Sequence, residues 1–303
     1  MKKHSIPLTV RSDKKKTYER NYDKVTHGSG RLFLFAGDQK VEHLNDDFYG
    51  EGIAAENATP EHLFQIASKA KIGVFATQLG LISQYGGDFP KIPYLVKLNS
   101  KSHLVKTSQA DPVSTQWYSI EDVVYFQKQS KLDIVGVGYT IYFGSQFENE
   151  MLTQAAQIVY QAHEQGLLSV IWAYPRGKAV ADEKDAHLIA GAAGAVGCLG
   201  ADFVKVNYPS KKEGLSSAEG LQEAVKAAGK TQLICAGGSS MDTEKFLQTL
   251  HDQIHISGAA GNATGRNIHQ KPLDVAVRFC NAIYGITVEN KTVDQVLKLY
   301  EEK

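Results

Sequence analysis

Eight short apolar runs separated by longer amphipathic stretches constrain this chain of 303 residues more than any other feature. The runs lie at 31–36 (RLFLFA), 72–76 (IGVFA), 94–97 (YLVK), 133–137 (DIVGV), 168–173 (LSVIWA), 202–206 (DFVKV), 232–236 (QLICA) and 261–264 (GNAT). Strands that are apolar throughout and alternate with helices form a parallel sheet buried on both faces. The stretches between them carry helix signals: Thr59-Pro60-Glu61 ahead of Leu63, Ile66 and Ala67; Ser119 three residues before Asp122; 150–165 closed by Gly166; and 217–228 closed by Gly229. Eight such units over roughly 250 residues predict an α/β fold, a closed (β/α)8 TIM barrel. An open doubly wound sheet would need a Gly-x-Gly-x-x-Gly turn after its first strand, which Gly37-Asp38-Gln39-Lys40 does not supply. The eighth run is the weakest, being short and only partly apolar.

No Ser/Gly-rich or Pro-rich linker interrupts 31–290, so one barrel domain is expected over 31–303, preceded by a short N-terminal extension at 1–30 and ending in an amphipathic helix at 293–302. The extension shows no helical or strand period, and Lys14-Lys15-Lys16 reads as a solvated charge run. Lys plus Arg and Asp plus Glu number 33 each, a net charge of zero, which argues against a nucleic-acid partner bound through a global positive field. No apolar run approaches the ~18 residues that span a bilayer, and Met1-Lys2-Lys3 leads into further charges rather than an apolar signal core. A cytoplasmic protein with no membrane partner is expected. Cys198, Cys235 and Cys280 form no CxxC pair and lie in apolar sequence, which predicts buried, reduced thiols.

In a barrel the chemistry sits at the C-terminal ends of the strands. Those ends offer Asp38, Lys97, Trp172 with Tyr174 and Arg176, Lys205 with Asn207, Gly237-Gly238-Ser239-Ser240 and Thr264-Gly265-Arg266-Asn267. Lys205 sits in Phe203-Val204-Lys205-Val206, where its ammonium is poorly solvated. Desolvation lowers a lysine pKa, and a neutral amine is the nucleophile for a Schiff base with a ketone. A lysine that snorkels to solvent or pairs with an acid is the bland alternative, and Lys97 in Tyr94-Leu-Val-Lys-Leu-Asn99 is a direct competitor. Tyr174, two residues beyond Trp172, shares its side of the strand; a nearby cation would favour its phenolate for acid/base work, although an aromatic barrel plug looks the same in sequence. Asp38 could pair with either lysine and relay protons, or simply cap the next turn.

Glycines after strands seven and eight free backbone amides at two expected helix starts, one of them near 241–250, and Arg266 lies beside them, a pattern suited to a phosphorylated ligand. His43 and His103 follow strands one and three, but no HxH or HExxH occurs, and His251 and His255 stand at helical spacing without a flanking acid, so no metal site is expected. A Ser-His-Asp site would lack its Gly-x-Ser-x-Gly elbow.

Taken together, Asp38, Trp172-Ala-Tyr-Pro-Arg-Gly177, Val204-Lys205-Val-Asn-Tyr208, Ala236-Gly-Gly238 and Gly258-Ala-Ala-Gly-Asn-Ala-Thr-Gly-Arg-Asn-Ile268 resemble the archaeal-type class I fructose-bisphosphate aldolases, the FbaB/DhnA-like group, from about Leu32 to Gln270. The resemblance implies a lyase without cofactor or metal that cleaves fructose 1,6-bisphosphate. Lys205 would form the Schiff base, Tyr174 would act as acid/base, and Asp38 would assist carbinolamine chemistry. Trp172 would shape the pocket, and Gly237, Gly238, Ser239, Gly265 and Arg266 would hold a phosphate, with Arg176, Lys97 and Lys40 as candidates for the second. It also implies a homo-oligomer. The chain departs from the family where Asp-His-Gly after strand one is replaced by Asp38-Gln39-Lys40, and in the segment 99–117. The alternatives are a Schiff-base enzyme acting on another phosphorylated ketose or a diketone, a metal-dependent aldolase using His43 or His103, and a non-catalytic phosphosugar-binding barrel.

Overall fold

A computed structural model describes residues 5–301. Its eight strands are β1 (Leu32–Ala36), β2 (Val74–Gln78), β3 (Tyr94–Lys97), β4 (Ile134–Phe143), β5 (Leu168–Pro175), β6 (Phe203–Val206), β7 (Gln232–Ala236) and β8 (Gly261–Thr264), closed in that order into one parallel barrel. The barrel expectation is met, and each strand is followed by at least one helix. The helix signals act as read: Ser119 and Asp122 form a reciprocal capping box, and Gly166 ends Glu148–Gln165 in the left-handed conformation.

Closure depends on the run with the least apolar sequence. β8 pairs with β1 from Leu32 opposite Gly261 to Phe35 opposite Thr264. Its polar side chains are buried but satisfied: Thr264 donates to Asn262 Oδ1 at 2.9 Å, and Asn262 donates to Thr287 at 2.8 Å. Gly261 has φ +137°, and a Cβ there would run into the backbone of Leu32, so this edge can close only through glycine. Burial of satisfied polar groups costs little, which explains a strand that hydropathy alone underrates.

The N-terminal segment differs from expectation. Lys15–Thr26 is a helix whose Tyr18, Asn21, Tyr22, Val25 and Thr26 are buried, while Lys15 and Lys16 stay exposed. Its buried stripe is assembled largely from tyrosines, Asn21 and Thr26, so a count of aliphatic residues misses it. Tyr18 donates to Asp202 at 2.5 Å and Tyr22 to Gln232 at 2.9 Å, which seats the helix on residues at the N-terminal ends of β6 and β7. The C-terminal helix runs Val293–Glu301; Glu302 and Met1-Lys2-Lys3 lie outside the described residues. Cys235 and Cys280 are buried, but Cys198 is exposed, because it falls on the outer face of helix Ala186–Leu199. No helix among the described residues is long and apolar enough to cross a membrane.

Candidate active site

Two lysines and one indole make the floor of the barrel mouth. Lys205 on β6 lies beside Trp172 on β5, and Lys97 on β3 lies beside Gly138 on β4. A methyl group on Gly138 would come within 2.5 Å of the indole, so this glycine lets the Trp172 ring reach across β4 toward Lys97. As a result both Nζ atoms sit over the same ring, at 4.9 Å for Lys205 and 5.1 Å for Lys97. Trp172 is a buried floor rather than a wall of the open pocket, and its Nε1 has no hydrogen-bond partner among the described residues.

The two amines are nevertheless unlike. Lys97 is 2% exposed and donates to Asn99 O at 2.6 Å and to Asn99 Oδ1 at 3.0 Å. Burial pushes its pKa down to about 8 against the opposing charges of Asp38 and Glu42, while its two oxygen acceptors hold the ammonium form in place. Lys205 is 4% exposed and, among the described residues, makes no hydrogen bond or ion pair within 4.0 Å. Burial lowers its pKa as well, Asp38 and Glu42 again opposing. Of the two amines, it is the one without a polar partner among the described residues.

Above Lys205 opens a pocket of about 110 Å³ lined by Asp38, Glu42, Tyr174, Arg176, Asn207, Gly237, Gly238, Gly265 and Arg266, among others. Asp38 is buried and its Oδ1 lacks a hydrogen-bond partner. β4 and β5 run longer than the other strands, pairing as far as Tyr142 with Tyr174 and Phe143 with Pro175, and so lift Tyr174 and Arg176 above the lysines. Burial holds the Tyr174 phenol well above its ordinary pKa of 10.0, and the Glu42 and Asp38 carboxylates reinforce this more than Arg176 and Arg266 oppose it. The resting site therefore keeps Tyr174 neutral, contrary to the expectation that a neighbouring cation would favour phenolate.

Across the pocket, Asn267 organises the glycine loop after β7: its amide donates to Gly237 O at 3.1 Å and to Ser239 O at 3.0 Å, and its oxygen accepts from Met241 N at 2.9 Å. Gly237, Gly238, Gly265 and Arg266 line the pocket; Ser239 is exposed and does not. The helix expected to start near Met241 begins at Thr243, with its first turn capped by Asp242. The Gly237 amide is spent on Ala263 O at 2.9 Å, while Arg266 lines the pocket with a buried Nε that has no hydrogen-bond partner and lies 3.6 Å from Asp47. Lys40 sits 4.2 Å over the Phe48 ring and does not line the pocket.

Glu42 is not singled out by the sequence, although it lies one helical turn beyond Asp38, and His103 is read there only as a possible metal ligand. Glu42 Oε1 accepts from His103 Nε2 at 2.9 Å and from Tyr142 at 3.4 Å, with Arg176 at 3.9 Å. Burial alone would raise its pKa, but His103, Lys97 and His43 outweigh that and bring it to about 2. Arg176 also pairs with Glu183 at 2.9 Å, and His43 with Asp47 at 3.3 Å. No group of three His, Cys, Asp or Glu residues among those described is placed to hold a metal ion.

The chain belongs to the DeoC/LacD family of aldolases, whose family model matches residues 32–271. Along 97% of its length it is 60% identical to a Methanocaldococcus jannaschii protein named fructose-bisphosphate aldolase/6-deoxy-5-ketofructose 1-phosphate synthase, of which it covers 94%. A solved fructose-bisphosphate aldolase from Slackia heliotrinireducens superposes with a TM-score of 0.96 at 56% identity, over 98% of this chain and 93% of that one. An archaeal fructose-1,6-bisphosphate aldolase, whose catalytic lysine is covalently bound to the carbinolamine intermediate of its substrate, gives a TM-score of 0.76 at 30% identity, over 89% of this chain and 99% of that one.

Proposed function

We propose that this chain is a class I aldolase that reversibly cleaves fructose 1,6-bisphosphate to dihydroxyacetone phosphate and glyceraldehyde 3-phosphate, with Lys205 as its Schiff-base nucleophile. The observation that carries the assignment is the buried, unbonded amine of Lys205 beneath a pocket shared by a carboxylate and a phenol. In its neutral form Lys205 attacks the C2 ketone, and Asp38 relays the proton that the nitrogen gives up. Neutral Tyr174 donates its proton to the carbinolamine hydroxyl, which leaves as water. The phenolate so formed stands beside the new iminium cation, which offsets the cost of its charge. It then takes the C4 hydroxyl proton as the C3–C4 bond breaks, with the iminium accepting the electron pair. The aldehyde departs, and the enamine is reprotonated and hydrolysed. Gly237, Gly238, Gly265 and Arg266 receive one phosphate.

Cleavage assays test this reading. Lys205→Met should abolish turnover, and wild-type activity should survive a metal chelator; turnover lost to chelator would point instead to a metal-dependent aldolase. A second reading keeps the same lysine but builds or breaks a deoxy-ketohexose phosphate, and it draws support from the second half of the Methanocaldococcus jannaschii relative's name. Comparing rates on the two kinds of ketose phosphate separates them.

A further inference from the structure

Glu42 is held in a way that the chemistry at Lys205 does not require. The segment after β3 docks on it twice: the His103 backbone N–H donates to Glu42 O at 2.9 Å, and the His103 ring reaches Glu42 Oε1 at 2.9 Å. With the ring nitrogen as donor, Oε1 is shared by His103 and Tyr142 and faces Arg176. Oε2 has no hydrogen-bond partner among the described residues, is not closed off from solvent as a buried orphan atom would be, and belongs to a residue lining the pocket above Lys205. One oxygen is thus fixed by the protein while the other is left as an acceptor beside the reacting centre.

Such an oxygen can only accept, because the carboxyl stays ionised through the neutral range. It suits a neutral donor and repels a second carboxylate or a phosphate placed directly against it. The glycine loops and Arg266, proposed above to receive one phosphate, line the pocket on the β7 and β8 side, whereas Glu42 is clamped by residues from β4 and the segment after β3, on the other side of the mouth. On the proposed aldolase reading, we infer that Glu42 is a specificity-determining residue that accepts a hydrogen bond from a hydroxyl of the aldehyde fragment, selecting acceptor aldehydes that carry a hydroxyl next to the carbonyl. A site built to bond a hydroxyl discriminates against a ligand lacking it, because a charged acceptor that the bound ligand shields from water is then left unmatched.

The test runs the reaction toward condensation, in which the enamine carbon of dihydroxyacetone phosphate attacks an aldehyde and no net oxidation occurs. Two acceptors are compared, glyceraldehyde 3-phosphate and 3-oxopropyl phosphate, its counterpart without the hydroxyl. Wild-type protein should prefer the hydroxylated acceptor. Glu42→Met should reduce kcat/KM for that acceptor about 10- to 100-fold and for the deoxy acceptor much less, so that the preference collapses. The preference is a ratio within one preparation, so partial misfolding cancels, and Glu42→Gln, which keeps a neutral acceptor, should fall between. Equal losses on both acceptors, or an unchanged ratio, would overturn the assignment. Borohydride trapping of wild-type protein with dihydroxyacetone phosphate separates the two levels. Trapping with an unaltered ratio defeats Glu42 alone, and no trapping defeats the aldolase reading together with it.

Discussion

At the scale of single residues, the site separates two lysines that share one aromatic face. Sequence placed both at strand ends but could not rank them by contacts, because the decisive difference is local: Asn99 offers two oxygens to Lys97, and nothing comparable meets Lys205. The carboxylates around Lys205 raise its pKa while burial lowers it, so removing one carboxylate has a defined sign. Asp38→Asn should move the midpoint of imine formation to lower pH, since a charge favouring ammonium is gone, and should slow turnover because the proton relay is lost. The pH profile of borohydride inactivation measures this; a shift to higher pH would contradict it. Tyr174→Phe should lower kcat about 10²- to 10⁴-fold, the range of a positioned acid/base, with little change in KM. That Asp38, Tyr174 and Lys205 would meet in one pocket was legible, because the first two stand where an apolar run meets polar sequence and the third is a charge inside such a run. Glu42 and its pairing with His103 were not, since they depend on a segment folding back across the barrel mouth.

Elements show the same division between local and long-range information. Capping boxes and C-terminal glycines are local chemistry, and helix boundaries followed from them. The helix Lys15–Thr26 depends on what it meets at the far end of the barrel, and its polar buried face hides it from a hydropathy reading. Asp202 is the anchor there, accepting from Tyr18, from His163 at 3.1 Å, and from the Ser169 backbone at 2.7 Å and hydroxyl at 3.0 Å. Burial would raise the Asp202 pKa, but these donors lower it below the ordinary 3.8. A depressed folded-state value means stability that is present above the unfolded pKa and lost as pH falls through the folded one. Tyr18→Phe should cost about 1.5–3 kcal/mol as the loss of a hydrogen bond to a charge. In thermal melts its deficit in Tm should be full at neutral pH and shrink below about pH 4 as the carboxylate protonates. A deficit independent of pH would assign the loss to packing instead.

The whole molecule returns to its eight apolar runs. Their number, spacing and lack of polar alternation sufficed for a closed parallel barrel, because burial on both sheet faces leaves few other uses for such segments. Strand lengths were less legible: β4 extends to Phe143 and β5 to Pro175, beyond their most apolar cores, and this extra length raises Tyr174 and Arg176 over the lysines. Zero net charge means that no global field gathers a phosphorylated substrate. On the proposed function, attraction arises at the mouth itself, where Arg266 and the glycine loops line the pocket. On the same proposed function, the barrel presents one reactive amine there, Lys205. Mass spectrometry of peptides after borohydride reduction with fructose 1,6-bisphosphate should then find a single adduct on Lys205, lost in Lys205→Met; an adduct on Lys97, or none at all, would show that Lys205 is not that amine.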